Sequence, residues 1–500
     1  MTSCNVKQIQ QRLDGLLAYM QPHWSFVNCH MVNYITDEHW EHFVPQKLRV
    51  EVPTATDVKQ CIETLFWKGD RQTQQFPEFA SFLAAGELQR LTCSDTELLT
   101  TVEDLEKQLL DADSEQATLS IKEFMSAKKC HEVEITAALV HKLIESASKK
   151  QDNDFYIVDA GDGKGYLSSR LALQYYHRVL GIDANAKNTE NALARNSKLQ
   201  RAWNGLTVRA ELQGQGITPK RRGKNATKEC GNPAPKLDNY KTSSKFITTQ
   251  LDLCALLDES FPEQQVDKMK RICLTGLHTC GNLAATCLQV FDAQPNCEIL
   301  CNIGCCYHLL KERYSDQEFF GNKALMDMQT EYGFPLSDYL RERNVCLGRN
   351  ARMLAAQSME RTQAAKELPN ITLYYRALIE LLVCRHAPHL KNELQVGKVR
   401  KFQNFYEYVQ LCAKKLNATW LGALEEAELE ELARSCDVDR HYLELFYLLR
   451  MSFAPVLESL ILLDRLLYLK ERGHKKSYLV NLFDAVISPR HYAIVAFKSH

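Results

Sequence analysis

The residues best suited to chemistry lie in one short run, Asp159-Ala160-Gly161-Asp162-Gly163-Lys164-Gly165, which follows the apolar segment Phe155-Tyr156-Ile157-Val158. Gly161, Gly163 and Gly165 permit a tight turn and close approach of backbone to a ligand. The dinucleotide fingerprint requires glycine at its first, third and sixth places, and the sixth place from Gly161 is Tyr166. Asp159 and Asp162 would also oppose a pyrophosphate at the N-terminus of the following helix. The phosphate loop of nucleotide hydrolases is excluded because no Gly-Lys-Ser/Thr follows the required spacer. A cofactor with an adenosine and positive charge fits better, and on Coulombic grounds the acidic loop suits S-adenosylmethionine.

Asp183 supports the adenosine. It ends the run Arg178-Val179-Leu180-Gly181-Ile182 about twenty residues past the loop, the spacing at which an acid meets ribose hydroxyls in a strand–helix–strand unit. Phe246-Ile247-Thr248-Thr249-Gln250-Leu251-Asp252 reads as a third strand, placing Asp252 at the adenine edge. The cofactor-binding set is thus Asp159, Gly161, Gly163, Gly165, Asp183 and Asp252. Further along, Arg271–Leu277 runs into His278-Thr279-Cys280-Gly281-Asn282-Leu283, and Ile299–Ile303 runs into Gly304-Cys305-Cys306-Tyr307-His308. In an open parallel sheet such strand ends border the ligand crevice. His278 is therefore a candidate catalytic residue, able to take a proton from a hydroxyl or amine. The alternative for His278 is support of the strand-end turn.

Tyr166–Leu173 and Asn188–Leu199 carry helical spacing between the first three strands. Phe453–Arg472 reads as a long buried helix, interrupted by Glu458, Asp464 and Arg465 and hence no membrane span. Ser477–Phe483 and His491–Phe497 follow as two strands around a Ser-Pro-Arg turn. Between core and hairpin, Asn370–Cys384, Phe402–Leu416 and Leu424–Arg434 are helical. Near the start, Glu97–Asp111 reads as an amphipathic helix, with Trp24, Phe26, Trp40, Phe43 and Trp67 as core material.

The combination of Asp159-x-Gly161-x-Gly163-x-Gly165, Gly181-Ile182-Asp183, Gly276-Leu277-His278-Thr279-Cys280-Gly281-Asn282-Leu283 and Gly304-Cys305-Cys306-Tyr307 resembles the methyltransferase-like protein 25 family, including its ribosomal-RNA adenine dimethylase domain-containing relatives. Met125-Ser126-Ala127-Lys128-Lys129-Cys130-His131-Glu132 and Ser488-Pro489-Arg490 extend the likeness over nearly the whole chain. The resemblance implies an α/β fold: a class I (Rossmann-like) methyltransferase sheet, with an N-terminal helical domain and a helical insertion before the last helix and β-hairpin. It implies S-adenosylmethionine-dependent transfer without fixing an acceptor. Asp162 and Asn282 depart from the family pattern, which has a small residue and an Asp there. His278-Thr279-Cys280-Gly281 with Cys305-Cys306-Tyr307-His308 is also similar, apart from Thr279 and Tyr307, to the paired motifs of eukaryotic tRNA ribose 2′-O-methyltransferases, a likeness that implies His278 or His308 as the catalytic residue that deprotonates a ribose hydroxyl.

Organisation follows. At 500 residues the chain exceeds one hydrophobic core. Residues 1–120 form an N-terminal helical region, 121–312 the methyltransferase core, 313–450 a helical insertion, and 451–500 the closing helix and hairpin. A basic flexible loop is expected at 213–245, where Lys220, Arg221, Arg222, Lys224, Lys228, Lys236, Lys241 and Lys245 face only Glu229 and Asp238. The net charge of −1 gives no global attraction to nucleic acid, so RNA would meet this local patch. Eighteen cysteines and a polar Met1–Gln11 without an apolar leader point to a reducing compartment, cytoplasmic or nuclear. Cys297, Cys301, Cys305 and Cys306 cluster, but on a buried strand four thiolates do not converge, so no metal is expected. Neither does a basic sequence neighbour argue for Cys280 as a covalent nucleophile. The function expected is methyl transfer, with RNA favoured as acceptor. The alternatives are an inactive methyltransferase-fold protein binding RNA or a protein partner, and a protein methyltransferase.

Overall fold

The computed structural model describes residues 5–92, 95, 97–109, 125–148, 155–216, 238–262, 270–315, 331–391, 394 and 396–498. The chain clusters into two compact units. One comprises residues 1–15, 91–347 and 458–500, the other residues 16–90 and 348–457.

Among the described residues the first unit is built on eight strands: β1 (Leu99–Thr101), β2 (Phe155–Ala160), β3 (Arg178–Ile182), β4 (Tyr240–Ser243), β5 (Arg271–Cys280), β6 (Cys297–Cys305), β7 (Lys476–Asn481) and β8 (Tyr492–Phe497). Their order is β1-β7-β8-β6-β5-β2-β3-β4. Neighbours are parallel except where β8 enters antiparallel to β6 and β7. This is the class I methyltransferase sheet with its closing hairpin, plus the edge strand β1. From β2 the chain steps outward to β3 and β4, then returns to the other side of β2 for β5 and β6. The switch in strand order therefore lies between β2 and β5, where the carboxyl ends open a crevice.

Alternation along β6 shows how the sheet is covered. Ile299, Cys301 and Ile303 share a core with Val133, Val140 and Leu143 of helix Ala127–Ser148 and with Leu167 and Leu171 of helix Tyr166–Gln174. On the opposite face a Cβ on Gly304 would stand 2.3 Å from Arg465 Nη1 and 3.4 Å from Ala284 Cβ, in helices Ala454–Glu471 and Asn282–Ala293. Helices thus cover both faces, as a parallel sheet buried on both sides requires. The helical stretch Asp437–Glu471 is long and apolar enough to cross a membrane by length and composition alone, yet 83% of its apolar window is buried inside the fold.

Three expectations need correction. The third strand is Tyr240–Ser243, since its ladder runs from Val179↔Tyr240 to Ile182↔Ser243, and residues 246–252 form turns leading to a helix. The span 213–245 accordingly begins with the end of helix Ala186–Gly214 and finishes in β4, while residues 217–237 lie outside the described residues. Glu97–Asp111 is divided: Leu99–Thr101 pairs with β7, and among the described residues of that span the helix is Val102–Leu109, with Leu105 in the sheet core.

The domain edges shift as well. Residues 91–109 and 331–347 cluster with the sheet, leaving 16–90 and 348–457 as one helical unit in place of two separate regions. Helical periodicity marks a buried face but does not identify the surface that buries it. Within that second unit Phe26 packs edge-on against Phe446 and Phe453, and Arg450 donates to the Val27 carbonyl.

Candidate functional site

The loop after β2 is pinned by its own backbone. Gly161 N and Asp162 N both donate to the Ile182 carbonyl, at 2.8 and 3.2 Å, and Gly165 N donates to Asp162 O at 3.0 Å. Gly161, Gly163 and Gly165 have φ of 76°, 58° and 67°. At Gly165, which caps helix Tyr166–Gln174, a Cβ would also approach Tyr240 Oη to 2.5 Å.

The two acids of the loop turn inward. Asp159 and Asp162 are both buried. Asp162 lies beneath Gly181, whose missing Cβ leaves room for the carboxylate. It accepts the Tyr240 hydroxyl, and Ser168 Oγ stands 2.7 Å from Asp162 Oδ1 and 2.9 Å from Asp159 Oδ2. One hydroxyl has one proton, so Ser168 can donate to only one of the pair. Burial first, and then the neighbouring Asp162 charge, push the Asp159 carboxyl well above the carboxylate range. The shared Ser168 hydroxyl thus ties the two carboxyl groups together beneath the loop.

Asp183 is the carboxylate at the loop's rim. Its Oδ2 accepts Gly163 N at 3.0 Å, and its Oδ1 accepts Asn185 N at 2.8 Å and Asn188 Nδ2 at 3.1 Å. An ionised carboxylate offers about four acceptor sites, so these three bonds orient it and leave capacity for a hydroxyl. A Cβ on Gly163 would meet only Gly161 O, at 3.8 Å, so the crest of the loop is open. Asp252 is differently employed: it is exposed and caps helix Leu253–Ser260, accepting Ala255 N at 3.1 Å. The position just past β4 belongs instead to Ser244, bonded to Thr189 at 2.7 Å.

His278 lies within β5 itself, which continues to Cys280. Its Nε2 is 3.3 Å from Glu132 Oε2 of helix Ala127–Ser148. Ser488 Oγ donates to Glu132 Oε1 at 2.8 Å, and Lys128 Nζ is 3.6 Å from that oxygen. Burial opposes the Glu132 charge, but the bonds from His278 and Ser488 and the His278 and Lys128 charges outweigh it, holding the carboxyl below the usual range. The Lys128–Glu132 and Ser488–Arg490 segments thus meet behind His278. Glu132 and Ser488 had been read only as parts of flanking motifs, with no sequence spacing to join them. His308 lies in the turn Tyr307–Leu309, where its charge acts on Cys306.

Asn282 has a structural reason for not being Asp. Its Oδ1 accepts Lys311 N and its Nδ2 donates to the Glu331 carbonyl, both at 2.8 Å. A carboxylate could accept the first bond but not donate the second.

Comparison with known proteins gives the site its class. Residues 128–313 match the family model of a methyltransferase domain. Those residues are a methyltransferase domain. The chain is also 28% identical to "Probable methyltransferase-like protein 25" of Mus musculus, over 98% of this chain and 96% of the relative. For the Homo sapiens protein of the same name the identity is 28%, over 98% of this chain and 97% of the relative. The likeness read from motifs therefore extends over nearly the full length, and residues 128–313 carry a methyltransferase domain. A methyltransferase domain requires a methyl donor. In this one the glycine loop, Asp183, His278 and Glu132 all fall in or beside the crevice at the switch in strand order.

The methyltransferase domain also gathers three thiols that the sequence had not associated. Cys280 Sγ lies 3.3 Å from Cys305 Sγ, and Cys305 Sγ 3.6 Å from Cys306 Sγ. Of the four cysteines grouped by sequence, Cys297 and Cys301 stay buried within β6. The missing partner came from β5, through the register Cys280↔Cys305.

Proposed function

We propose that the chain transfers a methyl group from S-adenosylmethionine to a hydroxyl or amine of RNA, with His278 as the base. The observation that carries this reading is the His278–Glu132–Ser488 chain at the end of β5. The bound cofactor would supply an electrophilic methyl on a sulfonium. Asp183 would take a ribose hydroxyl, and Gly161, Gly163 and Gly165 would let the backbone approach the methionine end. Asp159 and Asp162 keep that loop in shape from beneath.

With Nε2–H directed at Glu132, the His278 Nδ1 lone pair is the proton acceptor. Glu132 fixes this tautomer and stabilises the imidazolium that forms, the arrangement of an oriented base. Methyl transfer depends mostly on alignment of nucleophile and sulfonium, with a base adding a smaller factor. RNA is favoured by the basic composition of 213–245 and by the likeness of the β5 and β6 ends to ribose methyltransferase motifs.

Calorimetric titration of the full chain with S-adenosylmethionine tests the donor; a folded chain that binds none defeats the proposal. Transfer of labelled methyl groups to fractionated RNA and protein from cells lacking the enzyme tests the acceptor. Label confined to protein would make this a protein methyltransferase.

A further inference from the structure

Cys280, Cys305 and Cys306 are, among the described residues, the one group of three or more potential metal ligands that comes together, with sulfurs all within 4.8 Å of one another. Three features bring them there. Parallel register sets Cys280 of β5 beside Cys305 of β6. Successive residues of a strand point to opposite faces, so Cys306 would turn away if β6 continued. It leaves the strand with φ of 37°, a costly conformation for a residue with a Cβ, and its thiol returns to that of Cys305.

We infer that Cys280, Cys305 and Cys306 form a binding site for a zinc-type thiophilic cation. With Zn–S bonds of about 2.3 Å, tetrahedrally placed sulfurs stand about 3.8 Å apart. The separations of 3.3 and 3.6 Å need only a small expansion to reach that value. The ligand form is the thiolate. A dication bound by all three sulfurs offsets their negative charge, so they ionise together as it binds. Three protein ligands leave the fourth tetrahedral position to water. Cys280 and Cys306 reach the surface, giving the ion a route in. Bound there, the ion would tie the ends of β5 and β6 together two residues from His278.

The test uses the full chain, reduced without oxygen by a phosphine, incubated with zinc and freed of excess metal. About one zinc per chain should remain, and cobalt(II) in its place should give the thiolate charge-transfer absorption of a tetrahedral site. Cys306→Ser and Cys280→Ser should weaken zinc binding at least tenfold, while Cys346→Ser, at an exposed thiol outside the group, should not. Because a Ser variant can fail to fold, wild-type protein is also alkylated in its native state. Zinc should shield Cys280 and Cys306 from iodoacetamide, and a chelator should expose them. No zinc uptake by the reduced chain overturns the inference, as does uptake with no shielding of these thiols. A Cys280–Cys305 disulfide forming in air from a chain that takes up no zinc would make the group a redox pair instead.

Discussion

At the residue scale, the crevice separates groups that hold its shape from groups that can act in it. Asp159, Asp162, Ser168 and Tyr240 are buried or bonded to one another beneath the glycine loop. His278 is partly exposed, with Glu132 behind it. If His278 is the base, His278→Ala should lower turnover by about 10²–10³-fold and leave the affinity for S-adenosylmethionine unchanged. Glu132→Gln should retain some activity, because it removes the orienting charge but spares the imidazole. If both variants weaken donor binding and leave single-turnover transfer unchanged, His278 is a support for the loop. The glycines and Asp183 were legible because they follow one another along a strand–loop–helix–strand path. Glu132 was not, because its contact with His278 joins a helix and a strand distant in sequence. Asp252 was misplaced for a similar reason: β-branched residues in 246–252 imitate a strand, while actual pairing with β3 chose Tyr240–Ser243.

At the element scale, two substitutions separate backbone demand from electrostatics. Gly165 combines φ of 67° with a Cβ position 2.5 Å from Tyr240 Oη and 3.0 Å from Ala192 Cβ. Gly165→Ala should therefore destabilise the first unit by about 1–3 kcal/mol, from strain and overpacking together, read as a lower urea midpoint. Gly15 lies in a helix with nothing within 4 Å of its missing Cβ, and Gly15→Ala should show no such loss. In helix Ala454–Glu471, Asp464 is fully buried and accepts Leu336 N at 2.7 Å, Ser337 N at 2.9 Å and Ser337 Oγ at 2.6 Å. Burial outweighs these bonds and raises its pKa from 3.8 to about 6. The folded chain then binds this proton more tightly than the unfolded chain does. Stability rises as pH falls through about 6 and the gain is complete below 3.8. The gain should be on the order of 2–3 kcal/mol. Against Asp464→Asn, which has no such titration, wild-type stability should improve by that amount between neutral pH and pH about 4. A constant difference between the two in urea unfolding would show that Asp464 is not raised.

At the scale of the whole molecule, the methyltransferase domain is not one continuous segment. Residues 128–313 contain β2 to β6, but β7 and β8 come from residues 476–497 and β1 from residues 99–101. Removing these leaves the β6 edge without its antiparallel partner β8 and strips Val480, Leu482, Phe483, Ala493, Val495 and Phe497 from the shared core. It also removes helix Ala454–Glu471, whose Arg465 fills the space over Gly304. Each fully buried large apolar side chain contributes about 1.5–3 kcal/mol, against a net stability of roughly 5–15 kcal/mol for a domain. The loss of these side chains alone is therefore enough to unfold the rest. A fragment of residues 128–313 should show no cooperative urea transition and no protected core in hydrogen exchange. A fragment of residues 91–347 joined by a flexible linker to residues 458–500 restores every strand of the sheet and should unfold cooperatively. If the short fragment alone unfolded cooperatively, the hairpin would be an appendage to the core. If the linked one failed as well, residues 16–90 and 348–457 would be needed for the sheet to fold, and the two compact units would be one folding unit.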